Sequence, residues 1–243
     1  VQGDNLATLI REHREWGNRF TVAETVELLR PIAAAIDFLH MRMDPPIIHR
    51  DIKPANILVP DSNASESRSL LTDFGISLAA EDTRLTSLSM MIGTERYFAP
   101  ELVPGGENGP KDLAHSQPTA GSDNYALSLI AFEMLTLQSL KDTMSPRQWA
   151  ESDRPFPRIA ALGLNQKDMG DVDRIEQVLR KSLHPAPAYR FMTATAFIQA
   201  LAQTGDRASW QRPPSPPQNV IANQNTRIPE LPDSWQDSSS GFE

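Results

Sequence analysis

The first regular pattern of apolar and polar positions lies between residues 21 and 40. Apolar side chains recur there at spacings of three and four residues, which predicts a helix with one buried face. The segment opens on Thr21 and Glu24, which are spaced as in a capping box, so their side chains would satisfy free amides at the helix start. Pro31 lies inside the pattern and predicts a kink or the loss of one backbone hydrogen bond.

Three short apolar runs follow this helix, and each is bounded by turn residues. They are too short for helices and predict strands at residues 46–48, 57–59 and 70–72. The second half of the chain returns to helical patterns. Residues 123–137 are apolar on nearly every side, as in a helix buried all round.

Apolar stripes at residues 172–183 and 196–201 predict two further helices, which are amphipathic. The predicted fold class is therefore mainly α with short β-hairpin strands. From about residue 204 to 243 the chain is rich in Pro, Ser, Gln and Asn and cannot bury enough apolar surface to order itself. We therefore expect a folded part at residues 1–203 and a disordered tail at residues 204–243.

The composition of the chain excludes several classes of protein. The chain has 243 residues and no cysteine, which excludes a disulfide scaffold, a thiolate metal site and a cysteine nucleophile. Its formal charge of −8 argues against a nucleic-acid-binding protein, because such domains carry a basic face. The most apolar stretch, residues 125–137, is short and contains polar residues, so we expect no membrane-spanning helix.

Polar residues suited to phosphate chemistry lie between and after the strand-like runs. Residues 49–56 read His-Arg-Asp-Ile-Lys-Pro-Ala-Asn, and residues 73–75 read Asp-Phe-Gly. Asp51, Asn56 and Asp73 would then lie on loops at one edge of the sheet. Carboxylate and amide oxygens are the ligands that Mg²⁺ prefers, usually in company with substrate phosphates. The pattern favours a site for a hard cation.

These motifs resemble the catalytic loop and the metal loop of eukaryotic-type (Hanks-type) Ser/Thr protein kinases. Further segments are similar to other landmarks of that family and follow in the same order: residues 3–6 to the segment after the hinge, 93–101 to the end of the activation segment, 122–128 to the start of the central helix, and 184–190 to a late loop that carries an arginine. The resemblance covers residues 1 to about 202. It implies the helical C-terminal lobe of the protein-kinase-like α+β fold.

The resemblance also implies a role for individual residues. Asp51 would accept a hydrogen bond from the substrate hydroxyl, and Lys53 would neutralise charge on the transferring phosphoryl group. Asn56 and Asp73 would hold the Mg²⁺ ions that bridge the phosphates of ATP.

Two further residues would contact the nucleotide in a kinase of this kind. The backbone of Val1 would lie at the hinge beside the adenine ring, and Leu58 would form the floor beneath it. Core packing is the alternative role of Leu58, and the two roles are compatible.

The type of substrate follows from the same resemblance. Lys53 and Thr94 are similar to residues of Ser/Thr-specific kinases, and the segment at residues 93–101 favours a protein substrate over a small molecule. Arg50 precedes Asp51 as in relatives that are switched by phosphorylation, for which Thr86 is the first candidate. The alternative is that the loop around Thr86 is merely polar.

Other motif residues are expected to be structural. Glu101 and Arg190 should form a buried ion pair, and Asp123 should accept hydrogen bonds from amides of the catalytic loop. His49 should pack beneath Phe74.

An active kinase also needs a glycine-rich loop, a strand lysine and a helix glutamate, which would precede Val1 and do not occur in this sequence. We therefore interpret the chain as a fragment that lacks its N-terminal lobe, and we expect negligible activity from the chain alone. The alternative is a pseudokinase-like scaffold, a non-catalytic binding module. We expect a cytoplasmic location, and the tail is also compatible with a membrane anchor beyond Glu243.

Overall fold

The computed structural model describes residues 3–60, 68–73, 95–102, 118–139 and 172–205. The chain divides into two units, residues 1–208 and 209–243, and every described residue belongs to the first. The described part contains five α-helices and three short strands, which in chain order are β1 (Gly3–Asn5), α1 (Leu6–Trp16), α2 (Val22–Met41), β2 (Ile57–Pro60), β3 (Leu70–Leu71), α3 (Ala120–Thr136), α4 (Val172–Ser182) and α5 (Ala194–Ala202). The predicted tail lies outside the described residues from residue 206 onward.

The strands form one antiparallel sheet in the order β1-β2-β3. Leu58 in the middle strand lies opposite Asn5 on one side and Leu70 on the other. Gly3 permits the pairing of β1 with β2, because a Cβ atom there would lie 2.3 Å from the carbonyl oxygen of Val59. The strands predicted at residues 57–59 and 70–72 are confirmed to within one residue.

The strand predicted at residues 46–48 is wrong. The backbone N–H of Ile47 donates to the carbonyl of Leu39 in the last turn of α2, at 3.0 Å. The N–H of His49 donates to the carboxylate of Asp123, at 2.8 Å. Because a helix end and a side chain take these donors, the segment pairs with no strand among the described residues.

Helix α2 begins at the predicted capping box. The N–H of Thr21 donates to the Glu24 carboxylate at 2.7 Å, and the N–H of Glu24 donates to Oγ1 of Thr21 at 3.1 Å. The helix continues through Pro31 to Met41, so the proline does not end it. The preceding helix, α1, has no counterpart in the apolar patterns singled out above, although it has an Asn5 cap and ends at Gly17 with φ of 70°.

Helix α3 is the centre of the fold. All its residues from 122 to 136 are buried, as the apolar pattern predicts. Its polar side chains are satisfied within the protein: Ser128 and Thr136 donate to the carbonyls of Asn124 and Phe132 at 2.8 and 2.7 Å. Helices α2, α4 and α5 pack against α3, and the shared core contains Leu29, Ile36, Tyr125, Phe132, Ile175, Leu179, Phe197 and Leu201.

A buried carboxylate of α2 caps the start of α5. The two oxygens of Asp37 accept the N–H groups of Ala194 and Thr195, at 2.8 and 2.9 Å. The hydroxyl of Thr193 accepts the next amide, that of Ala196, at 3.0 Å. The first three amides of α5, which no helix can pair internally, are therefore all bonded.

Candidate active site

The carboxylate of Asp123 holds the loop that follows α2. Asp123 lies in the first turn of α3 and is almost fully buried. Its Oδ2 accepts the N–H of His49 at 2.8 Å, and its Oδ1 accepts the N–H of Arg50 at 3.0 Å. The predicted role of Asp123 as acceptor of catalytic-loop amides is thereby confirmed. Arg50 has φ of 69°, which residues with a Cβ atom seldom adopt.

The next residue, Asp51, is held by two side chains of its own loop. Oδ2 of Asp51 lies 2.8 Å from Nζ of Lys53 and accepts a hydrogen bond of 2.9 Å from Nδ2 of Asn56. Nδ2 of Asn56 also donates to the backbone carbonyl of Asp51 at 2.8 Å. The other oxygen, Oδ1, is buried and has no hydrogen-bond partner among the described residues. An unpaired buried acceptor is costly, and such atoms are concentrated where a ligand completes the bonding.

Asn56 also connects this loop to Asp73. The backbone carbonyl of Asn56 accepts hydrogen bonds from the N–H and the hydroxyl of Thr72, at 2.9 and 3.1 Å. Asp73, which follows directly, is exposed and has φ of 53°. The fold therefore brings together Asp51, Lys53, Asn56 and Asp73, the four residues to which the family resemblance assigns chemistry.

The side-chain oxygens of Asn56 and Asp73 suit a divalent cation that both residues would hold. Both amide hydrogens of Asn56 bond to Asp51, so its oxygen Oδ1 is left as a ligand, and the exposed Asp73 carboxylate follows the residue bonded to Asn56. No cluster of three His, Asp or Glu side chains that would hold a metal by itself occurs among the described residues. A cation at Asn56 and Asp73 would need oxygens from a substrate, as Mg²⁺ sites on phosphates usually do.

The imidazole ring of His49 bonds both to the loop that contains Asp51 and to the segment that contains Thr72. Its Nδ1 accepts the N–H of Asp51 at 3.4 Å, so in the neutral ring Nε2 carries the hydrogen and donates to the carbonyl of Thr72 at 3.2 Å. The predicted packing of His49 under Phe74 falls on a residue outside the described ranges. The same is true of the predictions for Val1, Thr86 and Thr94.

Leu58 lies in the middle strand and is half-buried. Its neighbours in the sheet are Asn5 and Leu70, and Leu70 is 44% exposed. Core packing and contact with a ligand both remain consistent with this placement.

The predicted pair between Glu101 and Arg190 is confirmed. The two side chains form a bidentate ion pair with both N···O distances at 2.7 Å. The remaining donors of Arg190 bond to the carbonyls of Gly121, His184 and Pro185, at distances of 2.7 to 2.9 Å. All five N–H groups of a guanidinium are thereby used at a side chain that is 1% exposed.

A second contact holds residues 95–102, the segment that contains Glu101, against α3. The sequence analysis did not predict it. The hydroxyl of Tyr97 donates to Oε2 of Glu133 in α3, and Nη2 of Arg14 donates to Oε1 of Glu133 at 3.1 Å. Burial, followed by the nearby Glu133 charge, raises the pKa of Tyr97 far above its ordinary value, so the hydroxyl stays protonated and donates. The available signal was Glu133 itself, because a glutamate in a helix buried on nearly every side requires partners.

A small crevice with a mostly buried lining adjoins Asp51. It is lined by residues 50–52 of the catalytic loop, by residues 97, 98 and 102, and by residues 122, 123 and 126 of α3.

The structure thus places Asp51, Lys53 and Asn56 on one loop, with Asp73 on a second loop that is bonded to it, beside a helical scaffold. A protein-family comparison matches residues 1–201 to the protein kinase domain, so the chain belongs to that family. Similar proteins include the serine/threonine-protein kinases PknF and PknJ of Mycobacterium tuberculosis, which are 30% and 32% identical over 206 and 213 residues. Each alignment covers 83% of this chain. These relatives support a Hanks-type kinase.

The alignments span 38% of PknF and 32% of PknJ, so the chain corresponds to about a third of each relative. A crystal structure of the Mycobacterium tuberculosis PknI kinase domain matches with a TM-score of 0.55, over 84% of this chain and 63% of that one. At 24% identity this likeness supports the fold alone. Among the described residues, no helix combines the length and apolarity needed to cross a membrane.

Proposed function

We propose that this chain supplies the substrate-hydroxyl side of the active site of a Ser/Thr protein kinase, which transfers the γ-phosphoryl group of ATP to protein hydroxyls. The observation that carries the proposal is the bonding of Asp51. One carboxylate oxygen is held by Lys53 and Asn56, and the other is a buried acceptor to which no described residue donates a hydrogen bond. A substrate hydroxyl would complete this bonding.

In this proposal Asp51 accepts the hydrogen bond of the substrate hydroxyl and aims its oxygen at the γ-phosphorus. A bond forms between that oxygen and phosphorus while the bond between phosphorus and the ADP oxygen breaks, and the hydroxyl proton passes to Asp51. Lys53, with Nζ 2.8 Å from Asp51, would offset the negative charge on the transferring group. Most of the rate enhancement then comes from positioning and electrostatics.

Asn56 and Asp73 would hold a divalent cation through the amide oxygen of the first and the carboxylate of the second. Mg²⁺ bound there would neutralise charge on the phosphate oxygens. The contact between Thr72 and the Asn56 carbonyl keeps the two ligands beside each other.

A protein substrate with Ser or Thr is the best-supported choice. Lys53 stands two residues after Asp51, as in Ser/Thr-specific members of the family, and the relatives PknF and PknJ are named as Ser/Thr kinases.

We propose the phosphoryl-transfer activity for the whole protein that contains this chain. The sequence has no glycine-rich loop to cover the phosphates, so we expect the 243-residue chain alone to be inactive. The test therefore uses the protein as its gene encodes it.

The experiment measures transfer of labelled γ-phosphate from ATP to a Ser- and Thr-containing protein such as myelin basic protein. We expect Asp51→Asn to lower kcat by about 10³-fold or more, because the amide cannot take the proton. Asp173→Asn, at an exposed position of α4, is the matched control and should keep wild-type activity. Equal labelling by wild type and Asp51→Asn would refute the assignment, and no labelling by wild type would favour the non-catalytic scaffold.

A further inference from the structure

The outward face of α2 becomes apolar over the second half of the helix. Ala34, Phe38 and Met41 follow one another there at spacings of four and three residues, so they lie on one face. Phe38 is 57% and Met41 is 60% exposed, while the opposite face of the helix is buried in the core. A surface helix normally presents polar side chains to solvent, so this end of α2 departs from the amphipathic pattern.

The same end of α2 meets the start of α5. The Asp37 carboxylate accepts the amides of Ala194 and Thr195. Met192 precedes this cap by two residues and is 92% exposed, and Met43, just beyond the end of α2, is 38% exposed. We call the exposed side chains at this junction the α2–α5 surface: Phe38, Met41, Met43 and Met192. They are four of the seven large apolar side chains that are exposed among the described residues.

Grouping distinguishes the α2–α5 surface from ordinary exposed apolar residues. Single exposed apolar side chains are common on soluble proteins, whereas groups of them mark sites at which another apolar surface is buried. Three of the four side chains are methionines, which are flexible and polarizable and adapt to partners of different shape. The stripe from Ala34 to Met41 is about 12 Å long, which is enough to cover about two turns of a partner helix.

The charges around the α2–α5 surface are mainly positive. Arg30 lies on the same face of α2, one turn before the apolar stripe, and Arg42 follows the last residue of the helix; both are exposed. On the α5 side, Nζ of Lys181 lies 4.4 Å from the centroid of the Phe191 ring, and Phe191 adjoins the most exposed methionine. Within the described residues 30–46 and 181–192, Asp44 is the only exposed carboxylate. The surface therefore has a positive rim on a chain whose formal charge is −8.

These charges favour one kind of partner. A second copy docked by a two-fold axis would place the surface against itself, so the two positive rims would repel each other. Recognition of anionic lipid takes clusters of about 4–8 cations, which is more than the three cations of this rim. A polypeptide with both carboxylates and apolar side chains matches the rim and the apolar centre together.

We propose that the α2–α5 surface is a docking site for an acidic polypeptide segment that carries apolar side chains. The apolar side chains of this segment pack on the exposed phenylalanine and methionines, and its carboxylates lie opposite Arg30, Arg42 and Lys181. None of these residues lines the crevice beside Asp51. The proposal concerns binding alone, so it stands or falls independently of the proposed function.

Binding is measured by fluorescence anisotropy on the full protein as its gene encodes it. The probe is a labelled synthetic peptide of about five helical turns with leucines on one face and glutamates on the other, and the comparison peptide has lysines in place of the glutamates. We expect the glutamate peptide to bind at least about tenfold more tightly than the lysine peptide, and to bind more weakly at high salt. Equal affinity for the two peptides, or no binding of the glutamate peptide at about 1 mM, overturns the proposal.

A double variant tests the apolar centre of the surface. Phe38→Ser with Met41→Ser changes two exposed side chains and leaves the core intact. We expect it to raise Kd for the glutamate peptide by about tenfold or more, because a few central side chains carry most of the binding energy. Trp16→Ser, at a side chain of α1 that is 66% exposed, is the matched control and should keep the wild-type Kd. Equal Kd values for the double variant and Trp16→Ser overturn the proposal.

A charge reversal tests the rim. We expect Arg42→Glu to weaken binding of the glutamate peptide and to strengthen binding of the lysine peptide, each by about threefold or more. Arg11→Glu makes the same charge change at an exposed position of α1 and should affect neither peptide to this extent. Equal effects of the two reversals would show a response to net charge alone and overturn the assignment of the rim.

Two further measurements identify a different occupant. Co-sedimentation with vesicles of phosphatidylserine and phosphatidylcholine reports membrane binding, and sedimentation equilibrium reports self-association. If the double variant abolishes either of these while the glutamate peptide does not bind the wild-type protein, the surface serves a membrane or a second copy, and the proposal is wrong.

Discussion

Of the three described residues other than glycine that have a positive φ, two lie in or beside the candidate site and the third, Leu137, ends α3. Arg50 and Asp73 have φ of 69° and 53° without being glycine, and they flank the group formed by Asp51, Lys53 and Asn56. Left-handed conformations of such residues cost about 1–3 kcal/mol each and persist only where surrounding bonds impose them. For Arg50 that bond comes from Asp123. The side chains that hold the strained loop are therefore as important to the site as Asp51.

At the scale of single residues, the Glu101–Arg190 ion pair also predicts an effect on stability. We expect Arg190→Ala to lower the free energy of unfolding by about 3–5 kcal/mol, because it removes the charged partner of the Glu101 carboxylate and the donor to three backbone carbonyls. Chemical denaturation followed by circular dichroism measures the change.

Arg30→Ala is the control for this substitution, since Arg30 is an exposed arginine on α2. A double variant, Glu101→Gln with Arg190→Met, should recover part of the loss, because it removes both charges together. If Arg190→Ala and Arg30→Ala unfolded at the same denaturant concentration, the ion pair would contribute nothing to the free energy of unfolding.

At the scale of elements, α2 performs three separate tasks. Its amino end is capped locally by Thr21, its middle caps α5 through Asp37, and its carboxyl end supports the catalytic loop through Leu39 and His40. Only the first of these is readable from neighbouring residues. The other two depend on which helices lie beside α2 in the folded chain.

The capping of α5 by Asp37 leads to a second stability prediction. We expect Asp37→Asn to lower the free energy of unfolding by about 1–3 kcal/mol, because the amide offers one acceptor in place of two for buried amides of Ala194 and Thr195. Loss of the negative charge at a helix amino end acts in the same direction.

Thermal unfolding followed by circular dichroism checks this expectation, with Glu27→Gln on the exposed face of the same helix as control. A Tm of Asp37→Asn equal to that of Glu27→Gln would show that the cap contributes nothing to stability.

At the scale of the whole molecule, two buried tyrosines predict a loss of stability at high pH. Burial raises the pKa of Tyr97 and Tyr125 far above the ordinary value of about 10. Above pH 10 the unfolded chain therefore releases protons that the folded chain retains. Stability is fully present below pH 10 and falls as the pH rises further, by about 1.4 kcal/mol per pH unit for each tyrosine.

Denaturation at several pH values between 9 and 11 measures this slope. Tyr125→Phe should reduce this slope, and at pH 7 the change should cost little, because the buried Tyr125 hydroxyl bonds to no described residue. Tyr189→Phe, at a side chain that is 67% exposed, is the control and should leave the slope unchanged. A slope that Tyr125→Phe leaves intact would contradict the proton linkage.

The sequence by itself determined the elements whose causes are local. A capping box and a period of three to four residues are sufficient for α2, and a segment apolar on nearly every side is sufficient for the buried α3. The candidate site could also be predicted from the sequence, because its residues lie in two short motifs. These motifs follow each other along the chain as they do in protein kinases. The strand predicted at residues 46–48 failed, since apolar content does not reveal which partner takes the backbone donors.

Tertiary structure alone decided how distant residues meet. The contacts of His40 with Asp123, Asp37 with the start of α5, and Tyr97 with Glu133 join residues that are 36 or more positions apart. No local pattern encodes such pairs, because each side chain is bonded by whichever element packs beside it. Burial then makes every one of these polar contacts necessary, since an unpaired polar group inside the core costs more than the bond that would satisfy it contributes.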